Sequence, residues 1–415
     1  MTAAHGPIDA PHSRLDREGG AGLDRRGLLR GAVAAGTLGL GLASGISLSP
    51  AAQAASAPKA LDPKQFTLTS HDTKTADLAD ALLKEAGSAD IAAVMKAANH
   101  DRTEAHVIDG QAHGFVWEDS EQKDETWYPQ GITSTRDAVG TKDNGRYQDH
   151  QLLAVSFYRK EPAWSRINLV DWDATMPNRY RRILLVEPTG TVDKPSFTDV
   201  DIHVGGISWY GDYLYVADTG SGLRVFDMTR ILRTDASGDM DEIGRVGDRF
   251  SAHHHSFALP QIGTITANDP TGDEDPLLWS TISLDRPKKS IVVTEYRVTE
   301  EGGQFPTGTT RAVRFPFAKD STRFAEKTTA TEALAVPLHF LNGVGSHNGR
   351  WWFNDSHNKR LHYWSGSGAM SDEPWVSWGE SLSYWEDEDG PDLLWCLQEG
   401  VGNRTVFAVE QGDYS

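Results

Sequence analysis

From about residue 113 to the C-terminus, short runs of Val, Ile, Leu, Tyr and Trp are separated by clusters of Gly, Asp, Asn and Ser. That pattern belongs to short strands and tight turns rather than to helices. One unit of it recurs, clearest at 206–227, where strand, turn, strand, turn and strand follow directly, and again position for position at 343–364. Weaker copies begin at Gly131-Ile132-Thr133-Ser134, Thr281-Ile282-Ser283 and Ser381-Leu382-Ser383. A fourth apolar run follows four of the five copies, at 182–186, 256–260, 333–336 and 375–378. The last copy lacks one, and residues 114–117, ahead of the first copy, can fill its place so that no strand edge stays open. The pattern therefore predicts an all-β fold, a five-bladed β-propeller over 113–415. Six blades is the alternative, because the first two units carry long inserts and 229–255 has room for further strands.

Ahead of the repeat the period changes. Residues 75–86 and 88–98 read as two short helices opened by Thr75 and Ser88, each with an acid in its first turn. They predict a short helical appendage within 55–112, preceded over 55–65 by a disordered leader rich in Ala, Ser, Pro and Lys.

Residues 1–54 have a different character. Arg25 and Arg26 precede an uncharged stretch from Gly31 to Leu48 rich in Ala, Gly and Leu, and Ala52-Gln53-Ala54 supplies a small-x-small cleavage site. This order resembles a twin-arginine translocation signal, which implies the translocase as partner during export, folding before export, and a secreted, extracellular mature chain. The stretch is too short and too glycine-rich for a membrane anchor, so no membrane insertion is expected of the mature form.

The chain carries a net charge of −19. Such a field repels nucleic acid and anionic membranes, and cationic ligands or metal ions suit it better. The single cysteine, Cys396, excludes an internal disulfide and sits in an apolar run that marks it as a packing residue. Nothing in the sequence asks for an oligomer, and a monomer is expected.

Leu341-Asn342-Gly343-Val344 and Tyr215-Val216-Ala217-Asp218 resemble the repeat signatures of the propeller group that includes gluconolactonases, paraoxonases and strictosidine synthases. The whole arrangement also resembles an actinobacterial type of twin-arginine-exported β-propeller. In that enzyme group an Asn and a Glu at comparable strand starts hold a divalent metal ion, and the resemblance implies Asn342 and Glu380 as metal ligands here. The expected blade number and most of the acidic ligands of those enzymes are not evident.

First strands of propeller blades line the central channel, so residues at their starts converge there. Alignment of the copies places Gln130, Gly205, Ser280, Asn342 and Glu380 at that position, with His203 leaning over the same mouth. A divalent ion such as calcium is the expected cofactor if the ring is used, with Gln130 and Ser280 facing a ligand and His203 as the candidate catalytic base. The competing expectation is a water-filled polar channel. One acidic position in five disfavours a glycosidase, which needs paired carboxylates. His253-His254-His255 falls at the start of an outer strand, where adjacent side chains alternate faces, and reads as a surface feature. No nucleophile elbow, phosphate loop or zinc spacing occurs. Two functions follow: an extracellular binding or signalling module for a small ligand, glycan or protein, or a metal-dependent hydrolase of lactone or ester type working in the channel.

Overall fold

The computed structural model describes residues 56–71, 73–173, 179–268, 276–299 and 306–415. The signal residues Arg25, Arg26 and Ala54 lie outside them. The segment ahead of the repeat contains β1 (Lys59–Ala60), β2 (Thr67–His71), α1 (Thr73–Ala86), β3 (Ser88–Ala89), α2 (Ile91–Lys96), β4 (His100–Glu104), β5 (Gln111–Trp117) and α3 (Asp119–Gln122). Five antiparallel groups follow. The first is β6 (Trp127–Ser134), α4 (Thr135–Val139), β7 (Leu152–Arg159), β8 (Trp164–Asp171) and β9 (Arg179–Thr191), trailed by β10 (Lys194–Asp199). The second runs through β11 (Ile207–Tyr210), β12 (Tyr213–Asp218) and β13 (Gly222–Asp227) to outer elements β14 (Ile231–Arg233), β15 (Ile243–Val246) and β16 (Arg249–Ala252), and ends in β17 (Phe257–Asn268). The third has β18 (Thr281–Asp285), β19 (Ser290–Thr294), β20 (Thr310–Pro316), β21 (Lys327–Thr329) and β22 (Glu332–Val336). The fourth is β23 (Leu341–His347), β24 (Arg350–Asp355), β25 (Arg360–Trp364) and β26 (Ser371–Pro374), and the fifth β27 (Gly379–Trp385), β28 (Leu393–Gln398) and β29 (Thr405–Glu410).

Each group is a meander of neighbouring hairpins. β7 is buried from Leu152 to Tyr158 and β28 throughout, because each sheet is covered on both faces, and this is why the strands read as continuous apolar runs instead of alternating ones. The hairpin between β23 and β24 turns on Asn348-Gly349, both at positive φ (52° and 81°), the two-residue turn whose twist matches the strands it joins. The fifth meander takes its fourth strand from the N-terminal side of the chain: β5 pairs with β29, Val116 opposite Thr405.

The first strands β6, β11, β18, β23 and β27 contact one another in sequence, and β27 returns to β6. They approach closely enough that a Cβ on Gly206 would lie 2.4 Å from the Ile282 amide nitrogen, and one on Gly131 2.7 Å from that of Ile207. The recurrent Gly-Ile step is therefore a backbone-to-backbone contact. At one end of these strands α4 brings in Asp137, whose Oδ2 accepts hydrogen bonds of 2.7 Å from Thr133 on β6 and from Ser383 on β27. This ties the first and last inner strands.

Several expectations are corrected. The 55–65 leader contains β1, which pairs with β22 and covers its open edge. Residues 88–98 are not one helix: Ser88-Ala89 pairs with β14, and the helix begins at Ile91 under Asp90, whose side chain accepts from the Ala93 amide at 2.7 Å. Backbone pairing to a free strand outcompetes one extra turn. The helical appendage is one part of a belt. β1 lies on the third meander, β2 on β17 of the second, α1 on β17 and β9, α2 on β9 of the first, and β4 joins β9 to β5. The run 375–378 is not the fourth strand of its meander. The polar, outward β26 pairs with β25, where Arg360 also bonds Asp372, while Trp375 and Val376 turn into the apolar cluster with Leu361 and Phe407. Residues 229–255 hold β14 and the β15–β16 ribbon on the outside.

Two outcomes follow. Phe115 on β5 is fully buried, so Phe115→Ala should cost about 3–5 kcal/mol in denaturant unfolding. Burial pushes the Asp137 carboxyl up to about 6, against hydrogen bonds from Ser383 and Thr133 that work the other way. A folded pKa above the unfolded one gives stability that is present below about pH 4 and lost as pH rises through about 6, up to about 3 kcal/mol. Asp137→Asn should therefore melt higher than the parent at pH 7, and the gain should vanish below pH 4.

Candidate functional site

The residues expected at the channel mouth divide into separate contacts. Gln130, in the bulge of β6, is buried and donates its amide to Glu399 Oε2 at 2.6 Å. Asn342, in the bulge of β23, donates to Glu380 Oε1 at 2.7 Å and to Ser356 Oγ at 2.8 Å. Ser280 accepts from the Tyr296 amide at 2.8 Å. His203 sets its ring 4.3 Å from that of Tyr158. The mouth thus brings Asn342 to Glu380 and Gln130 to Glu399, while Ser280 and His203 serve other neighbours. Gly205 is buried just ahead of β11.

This arrangement does not fit a calcium-type ion. Such an ion asks for six to eight oxygens, and here the amides turn N–H groups, not carbonyls, towards the two carboxylates. Among the described residues no three or more His, Cys, Asp or Glu side chains gather as a metal-binding group. Cys396 is fully buried, and burial pushes its thiol up to about 12, as expected of a packing residue.

A different site lies at the outer side of the first meander, where its β7–β9 residues meet Asn99 and His100 from the belt, the α3 region and the loop around β15 and β16. The cleft has a volume of about 560 Å³ and is lined by Arg159, Arg166, Arg181, Arg182, His100 and His253 to His255, with Trp127 and Trp164 in its wall and Asp124 its one carboxylate. Strand geometry explains the basic face. Arg159 and Arg166 sit on the paired strands β7 and β8, and Asn168 of β8 stands opposite Arg182 of β9.

The four arginines are held in two ways. Arg166 and Arg182 share the buried carboxylate of Glu121 on α3, at 2.6 and 2.7 Å, and Asn168 adds a third donor at 3.2 Å. Burial alone would raise the Glu121 carboxyl, but the two guanidinium groups outweigh it and hold it below the usual range. Arg166 also lies over Trp127 at 4.0 Å. The Arg159 side chain makes no hydrogen bond or ion pair with any described residue and is held over Trp164 at 4.3 Å. Arg181 donates to the Ala97 carbonyl and the Asn99 side chain and has no carboxylate partner among the described residues. The indoles thus position cations through their ring faces, and they do not offer open stacking platforms.

The three histidines are not at the start of a strand. They follow β16 in a turn, with His253 and His254 at positive φ (48° and 61°). This backbone separates their roles. His253 is buried, stacked on Trp164 at 3.6 Å and bonded to Asp199 at 2.9 Å and the Met240 carbonyl at 2.6 Å. His254 is exposed, and His255 turns back over the loop. The expected surface reading holds for His254 alone. The basic cleft itself was missed, although the signal is present: 159–182 carries six Arg or Lys against three acids in a chain of net charge −19.

Comparisons with known proteins give fold likenesses. No family model and no curated protein matches the chain. Among solved structures, it is similar to the Cps50 (Swd1) β-propeller domain of Myceliophteria thermophila, at 10% identity over 69% of this chain and 97% of that one, TM-score 0.33. It is also similar to hydrazine synthase of Kuenenia stuttgartiensis, at 10% identity, 72% and 98% coverage and TM-score 0.30. A streptogramin B lyase matches at 10% identity, 75% and 97% coverage and TM-score 0.26.

The two kinds of arginine should respond differently to substitution. Glu121→Gln leaves Arg166 and Arg182 facing a neutral group in a buried site and should cost about 3–5 kcal/mol. Arg159→Ala removes only a ring contact and should cost about 1 kcal/mol or less. Urea unfolding of both variants measures the contrast.

Proposed function

We propose that this chain is a five-bladed β-propeller, exported by the twin-arginine pathway and cleaved after Ala54, that acts outside the cytoplasm as a monomeric binding module. Its ligand site is the basic cleft on the first meander, and its ligand is a small molecule carrying a carboxylate or phosphate. The five four-stranded groups and the cyclic contacts of β6, β11, β18, β23 and β27 support the blade number. The arginine pair ahead of the uncharged stretch supports the route of export.

One observation carries the ligand class: Arg159 and Arg181 line the cleft with no carboxylate among the described residues against them. An acidic protein has carboxylates to spare for surface arginines, so two guanidinium groups left without one in a concave site are available to an incoming anion. A guanidinium offers a planar fork to such a group, and each charge-assisted bond contributes about 1.5–3 kcal/mol. The surrounding field of the chain is negative, so the cleft selects by close contact and not by long-range attraction.

Titration calorimetry of the mature protein with inorganic phosphate and with acetate tests this reading. Binding should weaken as salt rises, and Arg159→Ala and Arg181→Ala should each lower affinity by about tenfold or more. Glu380→Gln, at the mouth, should leave it unchanged. Absence of binding by either anion overturns the reading. A melting temperature lowered by chelator, which this reading does not expect, would restore the lactone or ester hydrolase with Asn342 and Glu380 as ligands. Replacing Arg25 and Arg26 by Lys should retain the chain in the cytoplasm, as followed by cell fractionation.

A further inference from the structure

Besides Asp124, whose Oδ1 accepts from Thr126 and the Trp127 amide, the cleft is lined by one buried acceptor that no described donor reaches. His255 Nδ1 lies 2.9 Å from the Ala252 carbonyl and 3.0 Å from the His253 carbonyl. Both neighbours are acceptors, so Nδ1 carries the hydrogen and Nε2 is left with its lone pair. That Nε2 is buried and has no hydrogen-bond partner. The ring cannot escape this by taking a proton. Burial first, and the neighbouring Arg166 and Arg182 with it, push the imidazole down to about 3. Burial, with the cations of β8 and β9, thus keeps it neutral, and the loop carbonyls fix which nitrogen is bare. A buried acceptor without a donor is costly, and Arg159 and Arg181 in the same lining are donors with no described carboxylate against them.

Resting on the anion-binding reading of the cleft, we infer that its ligand carries a hydroxyl group beside the anionic one, the hydroxyl donating to His255 Nε2 while Arg159 and Arg181 take the charge. The ligand class is then a hydroxy acid, a sugar acid or a sugar phosphate, and simple carboxylates or alkyl phosphates bind measurably but about tenfold or more weakly. A site built to pair with a hydroxyl discriminates strongly against the analogue that lacks it, because the analogue leaves the buried acceptor bare.

Three probes separate this inference from its premise: glycerol 3-phosphate, n-propyl phosphate and glycerol, each titrated into the mature protein by calorimetry. Glycerol 3-phosphate should bind about tenfold or more tightly than propyl phosphate, and glycerol should not bind measurably. His255→Phe should bring the glycerol 3-phosphate affinity down to that of propyl phosphate, and His255→Gln, whose side-chain carbonyl is again an acceptor, should recover part of the difference. Equal affinity of the two phosphates for the unaltered protein overturns the hydroxyl inference and leaves the anion site standing. A preference that persists in the Phe variant assigns the hydroxyl to another residue and likewise overturns it. Failure of both phosphates to bind removes the anion site itself.

Discussion

The close approach of the five inner strands is the constraint on which the rest of the molecule depends. At Gly206 and Gly131 the neighbouring backbone stands where a side chain would begin, so these strands meet through main chain and small hydroxyl residues. Ile132, Ile207, Ile282, Val344 and Leu382, one step along each strand, point away into the space between meanders and are essentially fully buried. Because the centre is narrow, the sheets must splay outward, and the aromatic residues fill the widening gaps: Trp209, Trp279, Trp351, Trp352 and Trp395 are all fully buried. At the centre Asp137 is satisfied across strands by Thr133 and Ser383.

Farther out, the sheets are joined by charge. Glu121 holds Arg166 and Arg182, Glu295 holds Arg297 and Arg311, and Asp285 holds Arg314 together with the Asn348 and Gly349 amides of the next meander. Each of these carboxylates is buried and each is surrounded by donors, the condition under which a buried charge is tolerated. The N-terminal belt then runs over the outer edges from the third meander back to the fifth, pairing with strand edges that would otherwise be open. Its strands are short and mostly exposed, so it contributes through backbone pairing, while α1 adds Leu78, Ala79 and Leu82 to the packing.

The cleft grows out of this outer layer. Cation–ring stacking and a shared carboxylate fix four arginines on one wall, and the turn after β16 adds a histidine whose bare nitrogen has the opposite polarity. The mouth of the inner ring, by contrast, has carboxylates and amides bonded to each other.

Strand positions were legible in the sequence because both-face burial writes each strand as an apolar run, and an aliphatic residue between two small ones, as in Gly206-Ile207-Ser208 and Ser381-Leu382-Ser383, marks where each repeat begins. Cys396, set in an apolar run, announced its burial. What failed did so for one reason: pairing partners distant in sequence leave no local mark. Ser88-Ala89 looked like a helix start because β14 is invisible from there, Trp375 looked like strand because the apolar pocket it fills comes from other segments, and residues 59–60 looked like leader because their partner is β22. The site shows the same division. The sequence alone determined the repeat, its strands and an excess of arginine between 159 and 182. Only the tertiary structure decided that Glu121, Trp164 and His255 meet those arginines, since a cleft is made by side chains from separate strands and loops, and no spacing along the chain encodes their distance in space.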